Sequence, residues 1–93
     1  MSWLPRRRRP VGDPADHEVT VVTRVDCHLC DDAVREVEAL AGELGFAVVL
    51  RDVDTDPELL ARYADRVPVV LVDGREHGWW RVEPDRLRAA VGG

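Results

Sequence analysis

The sequence of 93 residues has little of what would mark a disulfide-rich scaffold, a fibrous protein or a membrane protein. Two cysteines are too few for a disulfide framework, and 7 glycines and 6 prolines are too few for a collagen-like or low-complexity chain. No apolar run approaches the roughly 18 residues of a membrane-spanning helix, and Pro10, Gly12 and Asp13 stand where a secretion signal would be apolar. We therefore expect a cytoplasmic protein with no membrane or export segment.

Charge is distributed unevenly along the chain, whose formal net charge is −5. Lysine is absent, and four arginines form the run Arg6–Arg9. Residues 18–93 carry nine arginines against sixteen acidic residues, a balance that repels phosphate backbones. We therefore expect no nucleic-acid partner, and we interpret residues 1–17 as a disordered basic tail ahead of one domain, residues 18–93.

The first half of this domain predicts a strand, a helix and a second strand. Glu18–Arg24 is rich in β-branched residues, as is typical of a strand. Apolar residues then recur every three or four positions, which places them on one face of a helix. They are Ala33, Val34, Val37, Leu40, Ala41 and Leu44. Gly45 should end this helix, and Phe46–Leu50 predicts a buried strand parallel to the first.

A second helix is predicted close behind, and its start fits two arrangements. Thr55 and Glu58 have the spacing of a capping box. Asp56 could instead cap a helix that has Pro57 in its first turn. The buried face of this helix should consist of Leu59, Leu60 and Tyr63.

The last third of the chain predicts a hairpin and a short helix. Val67–Val72 is apolar throughout, and Asp73-Gly74 favours a tight turn, so Arg75–Val82 should return as an antiparallel strand. Pro84–Val91 predicts the final helix. The order β-α-β-α-β-β-α implies an α/β fold, a mixed four-stranded sheet flanked by helices.

The two cysteines stand three residues apart in Cys27-His28-Leu29-Cys30, and this motif carries the functional signal. In a reducing cytosol such a pair is typical of catalysis or metal binding. Because Cys27 falls at the start of a helix, unpaired backbone N–H groups and the helix dipole favour its thiolate. Cys30, one turn further on, can attack a mixed disulfide on Cys27 and release the substrate thiol.

Charged neighbours oppose one another around Cys27. Arg24 can add a positive charge that favours the thiolate. Asp26, Asp31 and Asp32 disfavour it by like-charge repulsion. We therefore expect only a moderate lowering of the Cys27 pKa.

His28 has two interpretations. With Cys27 and Cys30 it could supply three ligands of a zinc site, but no fourth ligand is near in sequence, since His17 lies in the tail and His77 beside the hairpin. Alternatively His28 faces solvent and modulates the thiolate. A haem-attachment motif is excluded, because aspartate rather than histidine follows the second cysteine.

The Trp79-Trp80 pair also has two interpretations. Two adjacent indoles could stack a ligand. Side-chain alternation along a strand instead predicts that one indole packs against the core and the other is exposed.

Three features, in order, resemble the glutaredoxin-like proteins of the thioredoxin-fold superfamily. They are Cys27–Cys30 after the first strand, the segment Asp52–Tyr63 and the segment Val67–Gly74. The resemblance covers residues 18–91 and implies a thioredoxin-like fold in which Cys27 attacks and Cys30 resolves. It also implies a cis Pro68 that faces the cysteine pair, and a place for Arg24 near the thiolate and glutathione.

The chain departs from the glutaredoxin pattern at two places. Gly78-Trp79-Trp80 stands where glutaredoxins carry a Gly-Gly pair followed by an acidic residue for glutathione. In Arg66-Val67-Pro68, valine stands where glutaredoxins carry a threonine before the proline. The resemblance therefore implies dithiol chemistry more firmly than glutathione binding.

We accordingly predict a thiol–disulfide oxidoreductase that reduces protein or low-molecular-weight disulfides through Cys27 and Cys30. The predicted substrate-binding or thiolate-tuning residues are Arg24, His28, Val67 and Pro68. We expect a monomer without a tightly bound cofactor, for which glutathione or another thiol donates electrons. The alternatives are a metal- or cluster-binding thioredoxin-fold protein and a non-catalytic interaction module.

Overall fold

The structure, a computed structural model, describes residues 14–92. The strands are β1 (Glu18–Thr23), β2 (Ala47–Asp52), β3 (Val69–Val72) and β4 (Arg75–Trp79). The helices are α1 (His28–Leu44), α2 (Pro57–Tyr63) and α3 (Pro84–Ala90), and single 3-10 turns cover Pro14–Asp16 and Val53–Thr55. The predicted order of strands and helices is confirmed.

The four strands form one mixed sheet in the order β2-β1-β3-β4. β1 runs parallel to β2 and antiparallel to β3, which in turn is antiparallel to β4. The register places Thr23 beside Asp52. Val69 lies between Val22 on one side and Trp79 on the other. The chain therefore leaves β1, β2 and β4, and enters β3, at the same end of the sheet, which we call the dithiol end because Cys27 follows β1 there.

The core lies on both faces of the sheet. Alternate side chains of a strand point to opposite faces, so Val21 and Val22 of β1 enter different apolar clusters. The first cluster contains Val21 with buried residues of α1 and α3, and the second contains Val22 with Tyr63 of α2. Helices therefore cover both faces, as the predicted fold class requires.

α1 buries the face that its apolar spacing predicts. Ala33, Val37 and Leu40 are buried, and the other three apolar positions pack against the same cluster. Gly45 follows the helix with φ 98°, a left-handed conformation that glycine adopts without a Cβ penalty, and its N–H donates to the carbonyl of Ala41 at 2.7 Å. The predicted helix end is confirmed.

The start of α2 is settled by Asp56. Its carboxylate accepts hydrogen bonds from the backbone N–H groups of Glu58 at 2.9 Å and Leu59 at 3.3 Å. The prediction that Leu60 lies on the buried face is wrong, because its side chain is 38% exposed. Leu59 and Tyr63, four residues apart, share the inward face, and Leu60 is rotated about 100° away from Leu59.

The hairpin strands are shorter than their apolar runs suggest. β3 begins at Val69, because Pro68 has no N–H to donate to a neighbouring strand. β4 ends at Trp79, because Trp80 takes a left-handed conformation with φ 71° that turns the chain out of the strand. Trp80 thus escapes strand alternation, and both indoles are exposed, which corrects the expectation of one packed and one exposed indole.

The segment before β1 packs on the β3–β4 turn. Nδ1 of His17 lies 2.5 Å from a carboxylate oxygen of Asp73, whose other oxygen accepts from the N–H of Glu18 at 2.9 Å. Residues 1–13 of the predicted basic tail, with the Arg6–Arg9 run, lie outside the described residues. Within residues 14–92, no helix has the length and apolar character to cross a bilayer.

Candidate dithiol site

Cys27 and Cys30 meet at the N-terminus of α1. Cys27 is the N-cap residue, in extended conformation, and its Sγ accepts a hydrogen bond from the N–H of Cys30 at 3.1 Å. The two Cα atoms are 5.2 Å apart and the sulfur atoms form a disulfide. The sulfur of Cys27 thus takes the position at which an N-cap side chain serves the open N–H groups of the first turn.

The two sulfurs differ in access. Cys30 is 1% exposed, packed beneath the first turn of α1, whereas Cys27 is half-buried. An incoming disulfide can reach the sulfur of Cys27, while that of Cys30 is shielded behind it.

The acidic residues around Cys27 are exposed and arranged unevenly. Asp26, directly before it, has φ 61°, a left-handed conformation that aspartate tolerates better than most residues. Asp32 forms an ion pair with Arg35. Among the described residues, neither Asp26 nor Asp31 has an ion-pair partner. Within residues 14–92, two carboxylates that belong to no ion pair therefore stand beside the motif.

Arg24 is held by a residue that sequence reasoning missed. Its Nε and Nη2 atoms each lie 3.2 Å from a different carboxylate oxygen of Asp54, and Nη1 donates to the carbonyl of Ala64 at 3.4 Å. Asp54 lies in the 3-10 turn after β2, and its backbone N–H donates to the Asp52 carboxylate at 2.8 Å. The turn sequence Asp52-Val-Asp54-Thr was the available signal. A role of Arg24 at the thiolate stays a prediction, and its charge is shared with Asp54.

Val67 and Pro68 lead into β3 at the dithiol end, beside β1. The peptide bond between them is cis, and Pro68 is fully buried. Val67 is partly buried against the cluster that contains Val22 and Tyr63. Because β3 lies next to β1 and is antiparallel to it, the Val67–Pro68 step that enters β3 and the loop that leaves β1 before Cys27 lie at the same end of the sheet.

The two tryptophans contact the segment that contains the Val67–Pro68 peptide bond. The N–H of Trp80 donates to the carbonyl of Pro68 at 2.7 Å. The guanidinium carbon of Arg66 lies 4.8 Å from the centre of the Trp79 ring, within the range of a cation–π interaction. The two indole centres are 6.4 Å apart, in an edge-to-face arrangement.

The histidines are dispersed. His28 is exposed, in the first turn of α1, while His17 contacts Asp73 at the opposite end of the sheet. His77 lies on β4, and burial, with Arg86 nearby, lowers its pKa. The described part of the chain has no group of three His, Cys, Asp or Glu side chains placed to hold a metal ion.

Comparison with known proteins agrees with this geometry. The profile of the family described as Glutaredoxin-like domain (DUF836) matches residues 18–92. An uncharacterized protein of Mycobacterium bovis is 42% identical over an alignment of 79 residues, and the match covers 80% of this chain and 81% of that protein.

Solved structures show the same fold. A structural-genomics target protein from X. campestris is 41% identical with a TM-score of 0.59, over 78% of this chain and 93% of that one. A mutant thioredoxin from Halobacterium salinarum is 26% identical with a TM-score of 0.61, over 87% of this chain and 76% of that one. The fold is therefore thioredoxin-like.

Proposed function

This chain belongs to the glutaredoxin-like domain family (DUF836), and we propose that it is a thiol–disulfide oxidoreductase acting through Cys27 and Cys30. The observation that carries the proposal is the half-buried Cys27 at the N-cap of α1 with a buried Cys30 in disulfide contact behind it. A thioredoxin-like fold and a Cys-x-x-Cys motif support a redox function in general, and this geometry supports a reductase with two unequal thiols.

The helix start is the source of reactivity. The Cys27 sulfur accepts a hydrogen bond from the N–H of Cys30, and the positive end of the α1 dipole lies at the same helix start. Both favour the thiolate, which is the attacking species in disulfide exchange. Cys30 is buried and has no such exposed position, so it remains the second thiol to react.

The reaction proceeds in two exchanges. The Cys27 thiolate attacks one sulfur of a substrate disulfide, the substrate S–S bond breaks, and the first substrate thiolate leaves with one proton taken from solvent. Cys30, after losing its proton, attacks the Cys27 sulfur in the mixed disulfide and displaces the second substrate thiol. Two electrons pass to the substrate, and the protein is left with the Cys27–Cys30 disulfide. Two molecules of glutathione, or of another thiol, then return both electrons and are themselves oxidised to a disulfide.

The setting proposed for this reaction follows from the sequence. We place the protein in the cytoplasm, where the donor thiols are abundant and two cysteines stay reduced between turnovers. We propose that it acts as a monomer on protein or small disulfides, without a tightly bound cofactor.

Single cysteine variants test the proposal. With a dithiol donor and a small model disulfide, Cys27→Ser should lose all reduction above the background rate. Cys30→Ser should still attack once and accumulate a mixed disulfide that mass spectrometry detects. The two variants control for each other, since each removes one buried or half-buried sulfur at the same helix end.

Two results would contradict the assignment. Faster alkylation of Cys30 than of Cys27 near neutral pH would reverse the two roles. A wild-type protein that reduces no disulfide, but whose thiols are protected by added zinc, would instead support the metal-binding alternative.

A further inference from the structure

His77 occupies an irregular position on β4, which lies at one edge of the described sheet. Its neighbours Glu76 and Gly78 pair with two consecutive residues of β3, so His77 between them has no partner on that strand. The extra residue of a β-bulge is left out of the ladder, and its backbone groups are open to other partners. Arg86 of α3 uses this opening, because its Nη1 atom donates to the backbone carbonyl of His77.

The imidazole ring of His77 is poorly suited to carry a charge. Its Nε2 atom is buried, and within residues 14–92 that atom has no hydrogen-bond partner. A protonated imidazole has an N–H at both nitrogens, so acid would put a charged N–H without an acceptor into this position. The ring nevertheless borders a cleft of about 490 Å³ that extends to Ala90, through which a proton from solvent can reach it.

α3 places a positive charge beside the same ring. Burial lowers the pKa of His77, the guanidinium of Arg86 lowers it further, and the carboxylate of Glu83 opposes them. The cation that binds the His77 carbonyl is therefore also the cation that disfavours a protonated His77 ring.

The other charged groups of the cleft do not offer the ring a free carboxylate. Asp73 is engaged by His17, whose Nδ1 lies 2.5 Å away, and by the backbone N–H of Glu18. Glu76 accepts a hydrogen bond from the hydroxyl of Tyr63 at 3.1 Å, and Tyr63 belongs to the apolar cluster on the α2 side of the sheet. Arg75, which also lines the cleft, adds a positive charge.

The contact between Arg86 and His77 can open without unfolding the domain. Nη1 of Arg86 also lies 3.5 Å from a carboxylate oxygen of Glu83, so a guanidinium that leaves the His77 carbonyl keeps a partner. Val82 and Leu87 are buried in the first apolar cluster and hold α3 on the sheet. Opening is therefore confined to the loop between β4 and α3, residues 80–83.

We propose that His77 is an acid-sensitive latch between β4 and α3. A proton taken from solvent by the His77 ring repels Arg86, the guanidinium leaves the His77 carbonyl for Glu83, and the loop of residues 80–83 loosens. This loop begins with Trp80, whose N–H donates to the carbonyl of Pro68 at 2.7 Å at the dithiol end. The latch thus makes the stability of that hydrogen bond depend on pH.

Hydrogen exchange of the Trp80 amide tests the latch. Exchange is followed by NMR on the full chain between pH 7 and 5, and each rate is converted to a protection factor, which removes the intrinsic effect of pH. A lowered pKa in the closed state stabilises that state above the ordinary value of 6.5, and the stabilisation is lost as pH falls below it. Trp80 protection should therefore fall, by up to about tenfold for each unit of lowering, while the amides of β1 keep theirs.

Variants of His77 identify the group that titrates. His77→Phe cannot be charged and should keep Trp80 protection equal at pH 7 and pH 5. His77→Gln, which is smaller and likewise does not titrate, should behave in the same way. The matched control is His28→Gln, which removes an exposed histidine of α1 and should retain the wild-type fall.

Variants of Arg86 test the other half of the contact. Arg86→Ala should lower Trp80 protection at pH 7 to about the level of wild type at pH 5, with little further dependence on pH. Arg62→Ala, which truncates an exposed arginine of α2, should resemble wild type at both values.

Three results would overturn the latch. They are equal Trp80 protection at pH 7 and 5 in wild type, an undiminished fall in both His77 variants, and a parallel loss of protection in β1, which would mean that acid unfolds the whole domain. None of these results bears on the oxidoreductase function, which the cysteine variants test separately.

Discussion

Cys27 shows how a single position combines helix geometry and chemistry. As N-cap residue it replaces the side-chain oxygen that usually accepts from the first turn, so the sulfur that accepts from the Cys30 N–H is also the proposed nucleophile. The sequence analysis predicted this position, since the motif stands between the first strand and the apolar pattern of α1. The partner of Arg24 was missed, because Asp54 is 30 residues away and only the exact register of β1 beside β2 brings the two together.

The Arg24–Asp54 pair leads to a prediction about reactivity. Asp54→Asn should leave the guanidinium with an unshared charge near the dithiol end, and the pH profile of Cys27 alkylation should move towards lower pH. Arg24→Ala alone should move the profile little, because the charge that it removes is already offset by Asp54. Alkylation rates measured between pH 5 and 9 under reducing conditions check both variants.

A control keeps this prediction specific. Glu38→Gln removes another exposed carboxylate, which lies on α1, and should leave the profile unchanged. If Asp54→Asn moves the profile towards higher pH, the guanidinium does not act on Cys27.

At the scale of elements, apolar periodicity predicted the buried face of a long helix better than it predicted where strands end. The apolar spacing of three and four residues in α1 identified its buried face, because six apolar positions along a long helix define one face. The seven residues of α2 give little such averaging, so Leu60 was misplaced although Leu59 and Tyr63 were assigned correctly. The end of β4 depends on one backbone angle at Trp80, which no apolar pattern encodes.

The two glycines near the end of α1 give a matched prediction at this scale. Gly45→Ala should destabilise the protein by about 1 kcal/mol, because a Cβ is strained at φ 98°. Gly42→Ala should stabilise it by up to about 1 kcal/mol, because the position is helical, a Cβ there would meet no atom within 4 Å, and alanine has the higher helix propensity. Urea unfolding of the two variants measures both changes.

The comparison has a clear failing outcome. Equal destabilisation by the two alanines would mean that α1 does not end at Leu44, since the prediction depends on one glycine lying inside the helix and the other beyond it.

At the scale of the whole molecule, the dithiol lies at one end of the sheet, and the contact between the β3–β4 turn and the segment before β1 lies at the other. The β1–β3 register runs from Val22 and Val69 at the dithiol end to Val19 and Val72 at the other, where the β3–β4 turn meets the segment before β1. The sequence predicted the parallel pairing of β1 with β2 from the helix between them and the β3–β4 hairpin from one turn dipeptide. It could not predict the contact of His17 with Asp73, which depends on strand register.

This separation permits a test of stability that leaves the dithiol untouched. The backbone N–H of Glu18 and then the His17 side chain lower the pKa of Asp73. A carboxyl whose pKa is lower in the folded state stabilises the protein above its unfolded pKa of about 3.9, and that stabilisation is lost as pH falls through the folded value. The wild type should therefore lose more stability than Asp73→Asn between pH 5 and 3, as urea midpoints would show. Asp65→Asn, an exposed carboxyl that makes no hydrogen bond within the described residues, should lose as much as wild type. If Asp73→Asn loses as much stability between pH 5 and 3 as wild type, the Asp73 carboxylate does not stabilise this end of the sheet.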